Sequence, residues 1–320
     1  MKKENKIPLI SVVGPTASGK TKLGVSLAKR FDGEVISADS MQIYRNMDIA
    51  TAKPTSEEMC GVKHWLIGFL PPSENFSVAQ YVEQAKAIII DIRSRGKIPI
   101  IVGGTGLYVD SLINNISFSE DTADYKLRDE LRLKAEQHGA QVLIDELAEF
   151  DPESAQRMHP NNLKRIIRAI EIYKTTGITM TEQIQRSKLV QSPYNAVKIG
   201  LKAQDRQFLY ERINRRVDIM VQHGLIDEAK RVLAGECSIT ARKAIGYKEL
   251  IPYINGESEL EPCLEKLKME SRRYAKRQLT WFLRDKEIRW FDIDTYQNFD
   301  ALEIDTSKYA EYSLSDDVCS

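Results

Sequence analysis

At 320 residues with 42% hydrophobic content, the chain has room for one large α/β domain and a smaller one, each with its own core. Its 46 basic and 46 acidic residues cancel, which excludes an overall basic field, so any nucleic-acid site has to come from local clustering. Cys60, Cys237, Cys263 and Cys319 are scattered, with no CxxC pair and no His at ligand spacing, which argues against a disulfide framework and a structural zinc site. No stretch reaches the length of a membrane span, and the apolar run after Lys2, Lys3 and Lys6 feeds a functional loop instead of a cleavage site, so a soluble cytoplasmic protein is expected.

In chain order, Ile7, Leu9, Ile10, Val12 and Val13 read as a buried strand, and Leu23, Leu27, Ala28 and Phe31 fall on one face of a helix. Between them Gly14, Pro15, Thr16, Ala17, Ser18, Gly19, Lys20 and Thr21 have the order of a phosphate-binding loop, in the strand-to-helix setting that the motif requires. Successive backbone N–H groups and the helix N-terminus make an anion cradle, to which Lys20 adds a point charge and Thr21 a hydroxyl for Mg2+. Such a loop recognises a diphosphate, whatever the diphosphate is attached to.

Glu34 to Asp39 reads as a second strand with an acid at its carboxyl end, where open parallel sheets put ligand-facing groups. Asp39 suits three roles: a cap, a Mg2+ ligand acting through water, or a catalytic group. Ser40, Met41, Gln42 and Tyr44 follow, then a polar loop through Thr51, Lys53 and Pro54. His64 to Phe69 reads as a third strand, and Ser77 as the cap of a helix stopped at Gly96. The apolar run Ile98 to Val102 has the texture of a central parallel strand and empties into a second glycine turn, Gly103 to Gly106. If the two strands are neighbours, the two loops share a crevice and Thr105 points a hydroxyl into it.

From about Ser119 consecutive helical patterns replace the alternation, so residues 120–194 read as an all-helical insertion between core segments 1–119 and 195–300. Between Arg157 and Lys188 the basic residues are Arg157, Lys164, Arg165, Arg168, Lys174, Arg186 and Lys188, against only Glu171 and Glu182. Such a basic face is a solvated helix surface, the lid of a small-molecule kinase, or a nucleic-acid contact. Val197 to Leu201 returns to the sheet, and Asp205 caps a helix bearing Arg212, Arg215 and Arg216, which either face solvent or hold diphosphate oxygens. Arg242 to Tyr247 is a basic turn with an aromatic. Residues 258–284 form one amphipathic helix with Lys276, Arg277 and Arg284 opposite Leu264, Leu267, Tyr274 and Trp281. Ile288 to Phe291 is a last strand, and the acidic tail 301–320 reads as flexible. The fold class is therefore α/β: a P-loop NTPase-like parallel sheet flanked by helices, with an all-helical insertion domain. On these residues alone a small-metabolite kinase is the default function.

Taken together the motifs are more specific. Gly14-Pro-Thr-Ala-Ser-Gly-Lys-Thr21, Ser37-Ala-Asp-Ser40 with Tyr44, Thr51-Ala-Lys-Pro54, Gly103-Gly-Thr-Gly-Leu-Tyr108, His159-Pro-Asn161 with Arg165 and Arg168, Ala244-Ile-Gly-Tyr247 and Lys276-Arg-Gln-Leu-Thr-Trp281 closely resemble, in order, the bacterial tRNA dimethylallyltransferases. The match runs from about residue 8 to residue 291. The resemblance implies transfer of a five-carbon dimethylallyl group from dimethylallyl diphosphate to N6 of adenosine 37, beside the anticodon of tRNAs reading codons that begin with U. In that reading the P-loop holds a diphosphate that departs, and no phosphoryl group moves.

Allylic C–O cleavage builds negative charge on the departing diphosphate, which the amides from Gly14 to Thr21, Lys20, Mg2+ and, by the family pattern, Arg216 would stabilise. The same pattern makes Asp39 the base for the N6 proton and puts Thr105 near the acceptor or a bridging diphosphate oxygen. The target base must be flipped out, which demands grip on the surrounding stem. The family's tRNA-contacting regions match Asp39, Ser40, Met41, Gln42 and Thr105; Arg128 with Lys164, Arg165, Ile166, Ile167 and Arg168; the turn Arg242, Lys243, Ala244, Ile245, Gly246 and Tyr247; and Lys276, Arg277 and Arg284. The implied partners are a tRNA anticodon stem-loop and dimethylallyl diphosphate, with Mg2+ as cofactor, no membrane, and a monomer by default. The C-terminal zinc finger of larger eukaryotic relatives has no matching Cys/His spacing here, which favours a bacterial-type enzyme. Two other classes stay open: a P-loop kinase with residues 157–168 as a lid, and a nucleotide-switched RNA-binding protein.

Overall fold

The computed structural model describes residues 6–116 and 124–315, apart from the side chains of 188 and 189. Strands β1 (Ile7–Val13), β2 (Gly33–Ser37), β3 (His64–Trp65), β4 (Ile98–Gly103), β5 (Tyr194–Lys202) and β6 (Arg289–Asp292) form one parallel sheet in the order β3-β2-β4-β1-β5-β6. The continuous apolar run of β1 follows from its central place, with Leu9, Ile10 and Val12 fully buried between β4 and β5. The register decides where the site lies. Val13 pairs with Gly103 and Ser37 with Val102, so the turns after β1, β2 and β4 emerge side by side at the carboxyl edge of the sheet.

Helix α1 (Lys20–Arg30) follows the first turn and buries Leu23, Leu27 and Ala28. A single-turn α2 (Ser56–Met59) precedes β3, and α3 (Val78–Ser94) starts at a Ser77–Gln80 capping box. Helix α4 (Gly106–Ile113) leaves the second glycine turn. The next five helices are α5 (Tyr125–His138), α6 (Gln141–Ala148), α7 (Pro152–Arg157), α8 (Leu163–Thr176) and α9 (Met180–Leu189). After β5 come α10 (Arg206–Gln222), capped by Asp205, then α11 (Leu225–Ala234), the short α12 (Ile239–Arg242) and α13 (Ile251–Ile254), and the 23-residue α14 (Leu260–Phe282). Helix α15 (Phe299–Ser315) closes the described chain.

The chain divides into two compact units, Met1–Ile113 with Pro193–Ser320, and Asn114–Ser192. The first has one core around the sheet (Ile10, Leu23, Val35, Ile100, Ile199) and another among its helices (Tyr44, Val217, Leu225, Tyr247, Leu267). The second has a core of its own, built on Leu131, Leu143, Leu147, Ile166 and Ile170. These bounds differ from 120–194. At the far end β5 already pairs from Tyr194 with Ile7, before its apolar run begins at Val197; at the near end Ser119 and residue 120 lie outside the described residues.

Two expectations are corrected. The third strand does not run from His64 to Phe69 but ends at Trp65, because Leu66 turns to φ 57, a left-handed conformation that leaves the extended region. Residues 301–315 are not a flexible tail. Leu302, Thr306 and Ala310 recur at helical spacing and are buried, and Leu302 and Ala310 join the sheet core, while Arg30 pairs with Glu311 at 2.7 Å. The acidic residues Glu303, Asp305 and Glu311 lie outside that apolar stripe; Asp316, Asp317 and Cys319 lie outside the described residues. Cys60, Cys237 and Cys263 are free, and among the described residues no helix is long and apolar enough to cross a membrane.

Candidate active site

The first glycine loop is shaped by the sheet and held by α10. Gly14 sits at φ 141, and a Cβ there would meet the Leu201 carbonyl oxygen at 2.2 Å, so only glycine lets the chain turn this close to β5. Ser18 Oγ donates to Pro15 O at 2.9 Å and Lys20 Nζ donates to the same oxygen at 2.6 Å. From α10, Arg212 Nε donates to Ala17 O at 2.8 Å and Arg216 Nη1 to Thr16 Oγ1 at 3.0 Å, whereas Arg215 is exposed. The three arginines therefore divide, two to the loop and one to solvent. Not every loop amide is offered to an anion, however: Thr16 N–H donates to Gln278 Oε1 at 2.8 Å.

Two half-buried cations dominate the electrostatics. Burial and then the neighbouring Arg216 charge bring the Lys20 amine from its ordinary 10.5 down to about 7, with Asp39 opposing them. Burial likewise lowers Arg216, against the pull of Asp39 and Glu58. Like charges held together and partly desolvated leave positive potential in search of an anion.

Asp39 lies two residues beyond β2. Its Oδ1 accepts N–H bonds from Met41 at 2.8 Å and Gln42 at 3.3 Å, while Oδ2 takes no hydrogen bond among the described residues. One oxygen thus caps the turn, the first of the three roles read from sequence, and holds the carboxylate so that its other oxygen is not spent on the cap. Thr105 is tied to the same turn: its N–H donates to Ala38 O at 3.1 Å, and its Oγ1 accepts from Ser40 N–H at 3.0 Å. The Gln42 side chain is committed to the wall, donating to Thr51 O and Ala52 O at 3.3 and 3.1 Å.

These groups share a cavity of about 340 Å³ whose lining includes Lys20, Thr21, Asp39, Arg216 and Tyr274. Ser40, Met41, Gln42, Lys243, Ala244, Ile245, Gly246 and Arg277 also reach it. Thr21 contributes a hydroxyl beside Lys20, an oxygen donor of the kind Mg2+ takes. Among the described residues no group of three or more His, Cys, Asp or Glu side chains is set to hold a metal unaided.

Sequence reasoning missed Glu228. Only 2% exposed, its carboxylate accepts N–H bonds from Asp48 (2.8 Å), Ile49 (2.8 Å) and Ala50 (2.9 Å) and the Tyr247 hydroxyl (2.9 Å), so it holds two cavity walls together. An acid in the first turn of an amphipathic helix is the only signal the sequence offers, and most such acids are solvated.

Several expected RNA contacts are corrected by burial. Ile166 and Ile167 are core residues of the helical unit, and Tyr247, with no exposed surface, spends its hydroxyl on Glu228; none of the three has a face for a base. Arg128 and Arg168 are half-buried around the fully buried Glu171, each at 2.8 Å, so much of their charge is already neutralised. Lys164 and Arg165 are exposed, as are Arg242, Lys276, Arg277 and Arg284; Arg277 and Arg284 lie over the rings of Tyr274 and Trp281. The Lys188 side chain lies outside the described residues. Arg128→Ala should therefore act as a stability mutation, costing the helical unit about 1–3 kcal/mol by stripping a partner from a buried carboxylate, and urea unfolding would register it.

The chain matches the family described as IPP transferase over residues 42–286. It is 47% identical over 306 residues to the tRNA dimethylallyltransferase of Caldanaerobacter subterraneus subsp. tengcongensis, covering 95% of this chain and 97% of that one. Among solved structures it resembles the full-length tRNA isopentenylpyrophosphate transferase from Bacillus halodurans, with a TM-score of 0.73 and 48% identity over 97% of this chain and 98% of that one. It also resembles a eukaryotic dimethylallyltransferase captured acting on tRNA, with a TM-score of 0.76 and 31% identity over 89% of this chain and 74% of that one.

Proposed function

The chain belongs to the tRNA dimethylallyltransferase (IPP transferase) family, and from that premise we propose how its residues move a dimethylallyl group from its diphosphate to N6 of adenosine 37 in tRNAs reading codons that begin with U. The observation that carries this reading is that one cavity joins two half-buried cations, Lys20 and Arg216, to the Asp39 carboxylate.

In the transfer, the C1–O bond of the donor breaks, C1 bonds to N6, the N6 proton passes to Asp39 Oδ2, and diphosphate leaves. The positive potential of Lys20 and Arg216, with the loop amides other than that of Thr16, stabilises the charge that builds on the leaving group. Mg2+, held by Thr21 and the donor's own phosphate oxygens, would supply further neutralisation of that charge. Thr105 orients the turn that carries Asp39 through its bonds to Ala38 and Ser40. The free Cys60, Cys237 and Cys263 suit a reducing cytoplasm, where the tRNA is.

Incubation with labelled dimethylallyl diphosphate, Mg2+ and unmodified tRNA tests the reading. Label is expected in RNA with release of diphosphate; phosphate transfer from ATP to a metabolite, with tRNA unlabelled, would overturn it. Lys20 gives a second measurement. Above pH 7 its amine is largely neutral without ligand, and a bound diphosphate restores the proton, so donor binding should take up close to one proton per site at pH 8 and weaken as pH rises. Calorimetry in buffers of different ionisation enthalpy reads this uptake directly. For RNA, Lys164→Ala with Arg165→Ala should flatten the salt dependence of tRNA binding, by roughly 0.7–0.9 in slope for each phosphate no longer neutralised, without changing donor affinity. An unchanged slope would leave that face as a solvated surface.

A further inference from the structure

Gln278 lies within a motif but has no role from the sequence. It is 5% exposed, and its amide is bonded at both ends: Oε1 accepts from Thr16 N–H at 2.8 Å and Nε2 donates to Gly104 O at 3.0 Å. Those partners belong to the two glycine loops, one beyond β1 and the other beyond β4. The packing is tight enough that a Cβ on Gly104 would meet Nε2 at 2.0 Å. Because Thr16 offers a donor and Gly104 an acceptor, a single orientation of a primary amide satisfies both.

Position explains why such a link matters. The β1–β4 ladder ends at the pair Val13 and Gly103, so beyond it no sheet pairing holds the loops in register. Gln278 replaces that pairing from α14. One turn earlier the Tyr274 hydroxyl faces Thr105 and Gln278, and one turn later Trp281 Nε1 donates to Asp110 Oδ2 on α4 at 2.6 Å. Thr105 is in turn bonded to Ser40, beside Asp39.

We propose that Gln278 is a positioning residue for the transfer: by joining Thr16 to Gly104 it sets the distance between the loop that grips the donor diphosphate and the turns that carry the base. The inference rests on the prenyl-transfer reading. Displacement at C1 needs the attacking nitrogen about 3–3.5 Å from the carbon, and a misplacement of about 1 Å costs about a hundredfold in rate. Donor and acceptor are held by different loops, so that distance depends on the link between the loops and not on the grip of either one.

Gln278→Met keeps length and bulk and removes both hydrogen bonds; Gln278→Glu keeps an acceptor for Thr16 and, when protonated, a donor for Gly104. With labelled donor and unmodified tRNA, Gln278→Met is expected to lose about tenfold to a hundredfold in kcat, with KM for donor and tRNA within about threefold. The activity of Gln278→Glu relative to wild type is expected to rise as pH falls and its carboxyl protonates. Wild-type kcat in Gln278→Met, or a lowered melting temperature with unchanged kcat per folded molecule, would overturn the inference while wild-type labelling of tRNA left the function intact. A Gln278→Glu loss equal to that of Gln278→Met at every pH would overturn it as well. A wild-type enzyme that labels no tRNA would remove the reading of function and this inference with it.

Discussion

Asp39→Asn is expected to lower kcat by about 10²–10⁴-fold while tRNA affinity stays within about threefold, the range that loss of a positioned general base produces. The choice of Asn follows from the geometry. Oδ1 of Asp39 caps the turn through Met41 N–H and Gln42 N–H, and an Asn oxygen serves those two donors equally well. Only the proton-accepting carboxylate oxygen is removed. Asp39→Ala loses the cap too, so the difference in stability between the two variants isolates the turn, on the order of 1 kcal/mol. Donor affinity in Asp39→Asn should hold or rise, since a carboxylate in the cavity repels a diphosphate. The same carboxylate offsets the cations, so the variant without donor should unfold more easily as Lys20 and Arg216 lose their countercharge. Near-normal turnover in single-turnover assays would remove Asp39 as the base.

Lys20→Met is expected to cut kcat by about 10²–10³-fold and, without ligand, to raise the melting temperature. The opposite signs have one cause. A desolvated ammonium beside Arg216 would stabilise a departing diphosphate and is disfavoured when no diphosphate is present. Linkage makes this testable with pH. Folding lowers the Lys20 pKa from 10.5 to about 7, so between these values the unfolded chain binds more protons than the folded one. The burial penalty is fully present below about pH 7 and fades as pH rises towards 10.5; unliganded wild type should therefore gain stability over that window relative to Lys20→Met. Saturating donor should reverse the order of the melting temperatures, because the wild type binds it better. If Lys20→Met without ligand melts below wild type at pH 7, the Lys20 charge is not a destabilising group.

How far the sequence reaches differs from element to element. The glycine turn between β1 and α1, the caps at Ser77 and Asp205 and the apolar runs of β1 and β4 are all legible, because turn chemistry and periodicity act over a few residues. Helix α15 is hard to see because its acids are more conspicuous than the spacing of Leu302, Thr306 and Ala310. Ile166 and Ile167 fall to RNA in a motif reading because a motif names neighbours along the chain, whereas a helix turns each successive residue by about 100° and sends Arg165 out and Ile166 in.

By itself, the sequence determined the parallel α/β core, the glycine loop between the first strand and helix and the acid at the end of the second strand. The tertiary structure alone decided which charges are spent. Glu228 on Tyr247, Glu171 on Arg128, and Gln278 between Thr16 and Gly104 all join groups that no short motif brings together. A buried polar group must find a partner wherever packing delivers one, and that depends on the whole fold and not on any local pattern.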